Sequence, residues 1–449
     1  MNINLISGPD KNPLDIVVGS ARTCYSKNLK TPEEISSWDK KIELAVDLFK
    51  SGHHTTLQHV NFVFSFEVVS RLSIWRFFHA HRHYNSDQIS QRYAAIDKEN
   101  FYLPKNIPNY NSLLEMHSTL IKNYTSLVDI LECEYKKSSN PVEVEIANKK
   151  AMENARYVLP QSIYANMYHT VNLSTLLRYY AVSHAQNLEG GSEIAEIINE
   201  MVMAVLDKYP ELHDLFKAVK FIDNIEQTDK KWFEAFKGDA LVNISSVIPG
   251  FQGDFKYYSD SSASYNLFAL PESMGTFTFK MNLSLSADAQ NQRHRTSIGM
   301  RPELKNEIVK ILTIEKFIEK QYIPEIFFQN KEAYNIFIDS MNLIYTNLIT
   351  CDLNYAPYIL PNSFKIPIIE TTSFADFAHK SKMRLCLNAQ EEIRILTDKM
   401  VNALSDNGVS NDMLVPPCVS RYSCNVYPTC SEGSRFCGIK EWQKDKYKK

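Results

Sequence analysis

Gly-x-Gly-x-x-Gly is absent from the 449 residues of this chain, so a Rossmann domain cannot account for any use of a dinucleotide. No apolar run approaches the length of a membrane-spanning helix, and no basic-then-apolar segment stands ahead of the stretch from Leu5 to Val18. Neither sign of charge dominates: 49 Lys and Arg meet 52 Asp and Glu, a net of −3, which gives no general reason to expect nucleic acid or a membrane surface as partner. An anion site would have to be local. Low-complexity sequence is confined to the lysine-rich end. These absences suggest a soluble, cytoplasmic protein. The length exceeds the usual single-domain range and 44% hydrophobic residues can fill real cores, so two packed units with an appendage are expected.

The cysteines divide into two groups. Cys24, Cys133, Cys351 and Cys386 are scattered, have no activating neighbourhood, and read as reduced packing residues. Cys418, Cys424, Cys430 and Cys437 crowd the tail. They could hold a tetrahedral zinc, although their spacing is not the Cys-x-x-Cys knuckle; an unliganded or disulfide-capable tail is the other reading.

Two basic stretches stand out. Arg293-His294-Arg295, in Gln290-Asn-Gln-Arg-His-Arg-Thr-Ser-Ile, sets two guanidinium forks around an imidazole, a grouping suited to planar or phosphorylated anions. Upstream, Ala80-His81-Arg82 repeats the His-Arg pair and runs on through Gln88 to Ser90-Gln91-Arg92-Tyr93. Tyr157-Val-Leu-Pro160 is matched by Tyr358-Ile-Leu-Pro361, and Thr170 follows the first proline by the same ten residues as Thr371 follows the second. Such order and spacing indicate a duplicated chain. Alternation of apolar residues over 62–68 and 277–283 predicts a half-buried strand before each basic stretch. Helical periodicity covers 40–50, 113–137, 143–158, 194–208, 306–317 and 391–404, and each proline is read as opening a further helical segment. The fold class is α+β, two tandem copies of a sheet flanked by helices, with units at 1–225 and 238–410 and a Cys-rich tail at 411–449. The boundary is placed at 224–237.

Together these motifs resemble the flavin-dependent thymidylate synthases, whose hallmark is Arg-His-Arg, seven residues, then Ser-x-Arg, with a Gly-His and a Phe-x-Phe strand before it and Arg-x-Val-Leu-Pro after it. The first copy offers Gly52-His53, His81-Arg82, Ser90-Gln91-Arg92 and Arg156-Tyr-Val-Leu-Pro160, covering most of 17–206. The second, roughly 240–405, matches through Arg293-His294-Arg295, Leu360-Pro361 and the segment from Arg384 to Arg394. The departures complement one another. Ala80, Phe77 and Ser183 stand in the first copy where the family has arginine, glutamine and a substrate-binding arginine, and the second copy has all three as Arg293, Gln290 and Arg384. Conversely, the second copy lacks Ser-x-Arg and has Pro357 in place of Arg156.

The resemblance implies sites built between subunits of a tetramer, each subunit giving half. Here each copy would keep one half, with Gln88, Ser90, Gln91, Arg92 and Arg156 facing Gln290, Arg293 and Arg384 around deoxyuridine monophosphate (dUMP). Two chains would form a homodimer that imitates the tetramer. Arg384 would stabilise charge on the activated uracil and is the expected catalytic residue. The resemblance assigns FAD to His53, His81, Arg82, Asn172, Arg293, His294 and Arg295, with methylenetetrahydrofolate as carbon donor and NADPH as reductant. A non-catalytic paralogue binding nucleotide or a protein partner is the alternative. His54, His59 and His79 are expected to be buried or paired without ligand.

Overall fold

The computed structural model describes residues 1–92, 94, 96, 101–225, 242–247 (backbone only), 275–409 and 414–444. The first repeat has strands β1 (Asn2–Ser7), β2 (Asn61–Ser70), β3 (Asn85–Gln88) and β4 (Tyr164–Asn172) in the antiparallel order β1-β2-β4-β3. The second has β5 (Val242–Val247), β6 (Thr276–Ser284), β7 (Ile298–Met300) and β8 (Lys365–Ser373) in the equivalent order β5-β6-β8-β7. The helices used below are α1 (Pro13–Thr23), α2 (Lys41–Lys50), α3 (Tyr110–Tyr135), α4 (Ala147–Ala155), α5 (Leu173–Val182), α6 (Gly191–Lys208), α7 (Leu285–Asn291), α8 (Lys331–Leu348), α9 (Phe374–Leu385), α10 (Glu391–Asp406) and α11 (Pro417–Ser423). Among the described residues no helix is long and apolar enough to cross a membrane.

Strand-to-helix transitions recur at equivalent places because the same kind of cap ends each strand. Asn172 Oδ1 accepts from Thr175 N to start α5, and Ser373 Oγ accepts from Asp376 N to start α9. Ser284 Oγ likewise caps α7, accepting from Ala287 N. Phe62, Phe64 and Phe66 turn one face of β2 into a core shared with Leu176, Ile197 and Met201. The second core draws on both repeats, joining Leu120 and Leu127 of α3 to Phe337 and Met341 of α8. The ladder of β2 is interrupted between Phe66 and Val69, where Val68 has a φ of 60° and its N–H is taken by Asn166 Oδ1.

Several expectations change. Pro160 and Pro361 are followed first by β4 and β8, the helices beginning only at Leu173 and Phe374. The segment 143–158 is divided into Pro141–Glu145, α4 and a 3₁₀ turn at Arg156–Val158, and 306–317 into Leu304–Ile308 and Ile314–Glu319. Cys24 and Cys133 are exposed rather than packed, as is His59. Most of the expected boundary at 224–237 lies outside the described residues.

The repeats meet by exchange. Gln161 N donates to Leu360 O and Asn362 N to Leu159 O, while Ser162 N donates to Tyr358 O and Ser363 N to Tyr157 O. Tyr157 OH of the first repeat donates to Glu392 of the second at 2.7 Å, and Tyr358 OH of the second to Glu193 of the first at 3.0 Å. Each glutamate also accepts from a strand-end serine, Ser284 N or Ser70 N, at 2.7 Å. Residue contacting residue in both directions marks a two-fold interface written into one chain.

Candidate active site

β3 pairs with β4 and leaves the sheet at Gln88, after which Ser90 Oγ accepts from Arg92 N at 3.2 Å and turns the chain. Arg92 is then held between Glu153, with which it forms an ion pair, and the Asn388 carbonyl of the second repeat at 2.7 Å. Arg156, at the end of α4, is 4% exposed and donates from Nε to Glu153 O. Gln91 is buried, and its Oε1 accepts from Asn362 Nδ2 at 3.4 Å, so Asn362 links it to the Arg156 carbonyl.

The second repeat brings its half to the same place. Arg384 Nη2 donates to the Gln290 carbonyl at 2.8 Å, and the Gln290 side chain reaches Gln390, which itself donates to Tyr157 OH of the first repeat. Arg293 approaches Asp87 of β3 at 3.5 Å. Burial, then the charges of Arg293 and Arg92, lower the Arg384 pKa to about 10. Gln91 Nε2, Arg156 Nη2 and Arg384 Nε are inaccessible yet lack a hydrogen-bond partner. Unmatched buried donors on three cationic or amide groups suit an anion with several acceptor oxygens.

The pseudo-equivalent place differs. Ile298 pairs with Thr371 as Asn85 pairs with Thr170, a register that puts Arg301 in the position of Gln88 and Lys305 in that of Arg92. Arg301 is consumed by buried Asp288, and Ser183, standing for Arg384, turns its hydroxyl to Tyr180 O. Arg76 pairs with Glu189 at 3.1 Å, and Glu303 is raised in pKa by burial and then by Glu189. At this corner the cations Arg301 and Arg76 are already paired with Asp288 and Glu189.

Between the two basic stretches lies a cavity of about 210 Å³, lined by His81, Arg82, His294 and Arg295 among others. His294 Nε2 and Arg295 Nε are buried there without partners. Arg295 stacks its guanidinium 4.6 Å from the Tyr84 ring centroid and donates to Asn85. His81 meets Tyr179 OH at 2.5 Å, and burial lowers its pKa to about 4 and that of His79 to about 3. His53 is exposed and Asn172 is occupied as a helix cap; neither lines this cavity.

One residue escaped the sequence reading. Arg71, at the end of β2, is 7% exposed, and its side chain takes no hydrogen bond or ion pair among the described residues. Burial, then Arg156, lower its pKa to about 9. A lone arginine after a strand carries no motif, so only the fold discloses it. A cavity of about 510 Å³ takes in Arg92 but neither Arg293 nor Arg384, and its five glutamates offset its five basic residues. The unmatched donors of Arg384 thus lie outside this cavity. The expected zinc set is not assembled: among the described residues no three His, Cys, Asp or Glu form a metal-binding group, and Cys424 is exposed.

Comparison with known proteins fits this duplicated architecture. The family model described as thymidylate synthase complementing protein matches residues 5–211 and again 270–407. The flavin-dependent thymidylate synthase of Clostridium tetani is 30% identical over 206 residues, 45% of this chain and 81% of that protein. That of Thermosipho africanus is 32% identical over 177 residues, 38% and 73% of the two chains. Among solved structures, a UMP/dUMP methylase, PolB, from Streptomyces cacaoi aligns with a TM-score of 0.37 at 19% identity over 49% of this chain and 96% of its own. Thymidylate Synthase X from Helicobacter pylori, with FAD and dUMP, aligns with a TM-score of 0.36 at 17% identity over 48% and 100%. The chain belongs to the flavin-dependent thymidylate synthase family, whose model matches it in two segments.

Proposed function

We propose that the protein methylates dUMP to thymidylate at one composite site per chain, using FAD, with methylenetetrahydrofolate as carbon donor and NADPH as reductant. The observation that carries this reading is the contact of the two halves: Arg92 of the first repeat bonds the Asn388 carbonyl, four residues past Arg384, while Arg293 of the second reaches Asp87. In it Arg92, Arg156 and Arg293 clamp the phosphate, and Ser90 and Gln91 complete its hydrogen bonds. Activating C5 of uracil as a nucleophile builds negative charge on the ring oxygens and nitrogen, which Arg384 would offset in a dry, low-dielectric setting. Gln290, tied to Arg384 through its carbonyl, orients it.

The unmatched donors on His294 and Arg295 fit an electron-rich, anionic ring, so these two, with His81 and Arg82, would hold the flavin. When bound, the flavin supplies the hydride equivalents of the reaction. The cavity of about 210 Å³ falls below the ~300–1,000 Å³ usual for ligand pockets. One chain thus encloses only part of the cofactor, which favours the homodimer acting as a pseudo-tetramer. The units are the two repeats, 1–225 and 238–410, with the tail at 411–449 set against both.

Purified protein is expected to carry FAD absorbance and to form thymidylate from dUMP, the folate donor and NADPH. Well-folded protein with neither flavin nor turnover would favour the non-catalytic paralogue.

A further inference from the structure

Asn388 is gripped from two sides. Its carbonyl accepts from Arg92 Nη2 of the first repeat at 2.7 Å, and its side-chain Nδ2 donates to the Arg435 carbonyl of the tail at 2.6 Å. The backbone around it is a tight turn, closed by Ala389 N donating to Cys386 O at 2.9 Å. Leu387 and Asn388 face Ser431, Glu432 and Phe436 across a void of about 20 Å³, space for about one water, so turn and tail are in close contact.

The tail can hold this turn because it is itself fixed. Arg421 of α11 is buried and donates from Nε to Pro428 O at 2.8 Å, and Val426 N closes back on Arg421 O. The Phe436 ring lies 6.1 Å from that of Trp442, and Tyr422 stacks beside the same indole. Gly438 has a φ of 76°, and a Cβ there would lie 2.7 Å from Val142 of the first repeat, so the tail is pressed close against that repeat as well.

We propose that the tail is a positioning device for the nucleotide site, holding Asn388 so that its carbonyl sets the guanidinium of Arg92. The ion pair with Glu153 attracts Arg92, and the directional N–H···O bond to Asn388 fixes its plane. Arg92 also bears on Arg384, whose pKa it helps to lower, so the two cations repel and Arg92 needs an anchor of its own. Holding a long side chain in one rotamer removes an ordering cost from ligand binding. The first repeat pins the turn after α5 in a similar manner: Asn187 donates to Ile225 O at 2.7 Å and accepts from Ile225 N at 2.8 Å. That turn belongs to the repeat with Ser183 in place of Arg384, which makes Asn187 a matched control. The consequence for dUMP rests on the proposed nucleotide site, whereas the contact between tail and turn does not.

Calorimetric titration of the full-length protein with dUMP tests the inference. Asn388→Ala should weaken binding about two- to tenfold, the loss of one neutral hydrogen bond read as affinity, with KM for dUMP rising and kcat held. In an Arg92→Ala background Asn388→Ala should change nothing further, and Asn187→Ala should leave dUMP affinity unaltered. Should Asn388→Ala fold poorly, Gly438→Ala, which lifts the tail from Val142, takes its place and should weaken binding in the same Arg92-dependent way. Unaltered affinity in these tail-contact variants, or a loss that persists undiminished without Arg92, would overturn the inference and leave the nucleotide site standing. An Arg92→Ala protein that binds dUMP as the unaltered protein does would remove the nucleotide site, and the inference with it.

Discussion

Arg92 is held by Glu153 and by a carbonyl from the other repeat, so on the proposed site a phosphate would share it with existing partners. Removing one charged fork from such a clamp costs roughly 1.5–3 kcal/mol. Arg92→Ala and Arg384→Ala should each weaken dUMP binding by about that amount in calorimetry, with the double variant losing clearly less than the sum. Additive losses would separate the two arginines. Ala80→Arg should recover nothing at the pseudo-equivalent corner, since Ser183 and Glu189 remain there. Arg71 makes a different case, because a buried guanidinium without a counter-charge is a burden on the fold. Arg71→Met should leave the melting temperature of the ligand-free protein unchanged or higher, and a marked fall would show an unrecognised partner. The motif arginines were legible because the family pattern fixes their spacing. Glu153, Asn388 and Arg71 were not, because their roles come from packing between segments far apart in sequence.

The strands β2 and β6 could be read from alternation, since one face of each is phenylalanine-rich and buried. Strands β4 and β8 are hidden in the sequence: each runs straight into a capped helix, whose strong period after Leu173 and Phe374 masks the strand that follows each proline. The break in 143–158 is hidden for a related reason, because the apolar pattern continues across Ile146, where the backbone departs from helical geometry. The exchanged tyrosine–glutamate contacts lay beyond any local pattern, being set by two-fold pairing of whole repeats. They predict matched losses. Tyr157→Phe and Tyr358→Phe each strip one donor from a buried glutamate and should cost about 1–3 kcal/mol in urea unfolding. A variant with no measurable loss would mean that its glutamate is satisfied by the strand-end serine alone.

Burial lowers His79 to about 3 and both His81 and His117 to about 4, and it also depresses His169 and His294. The folded chain therefore favours their neutral forms. Stability from this source is complete above the unfolded histidine value near 6.5 and declines as pH falls through it towards the folded values, at up to about 1.4 kcal/mol per pH unit for each histidine. Glu193 and Glu392, raised by burial, act in the opposite direction at lower pH. The urea midpoint should drop between about pH 7 and pH 5, and a flat profile would place these imidazoles in water. Residues 1–225 and 238–410 expressed apart should be poorly soluble, because α3 and α8 contribute to a common core, and any dUMP turnover should need both. The complementary losses also carry a genetic consequence. On the proposed composite site, deletion of either repeat would leave a gene coding for one half of it. Translation as one polypeptide fixes their ratio at one to one, and selection must now act on the pair as a single heritable unit.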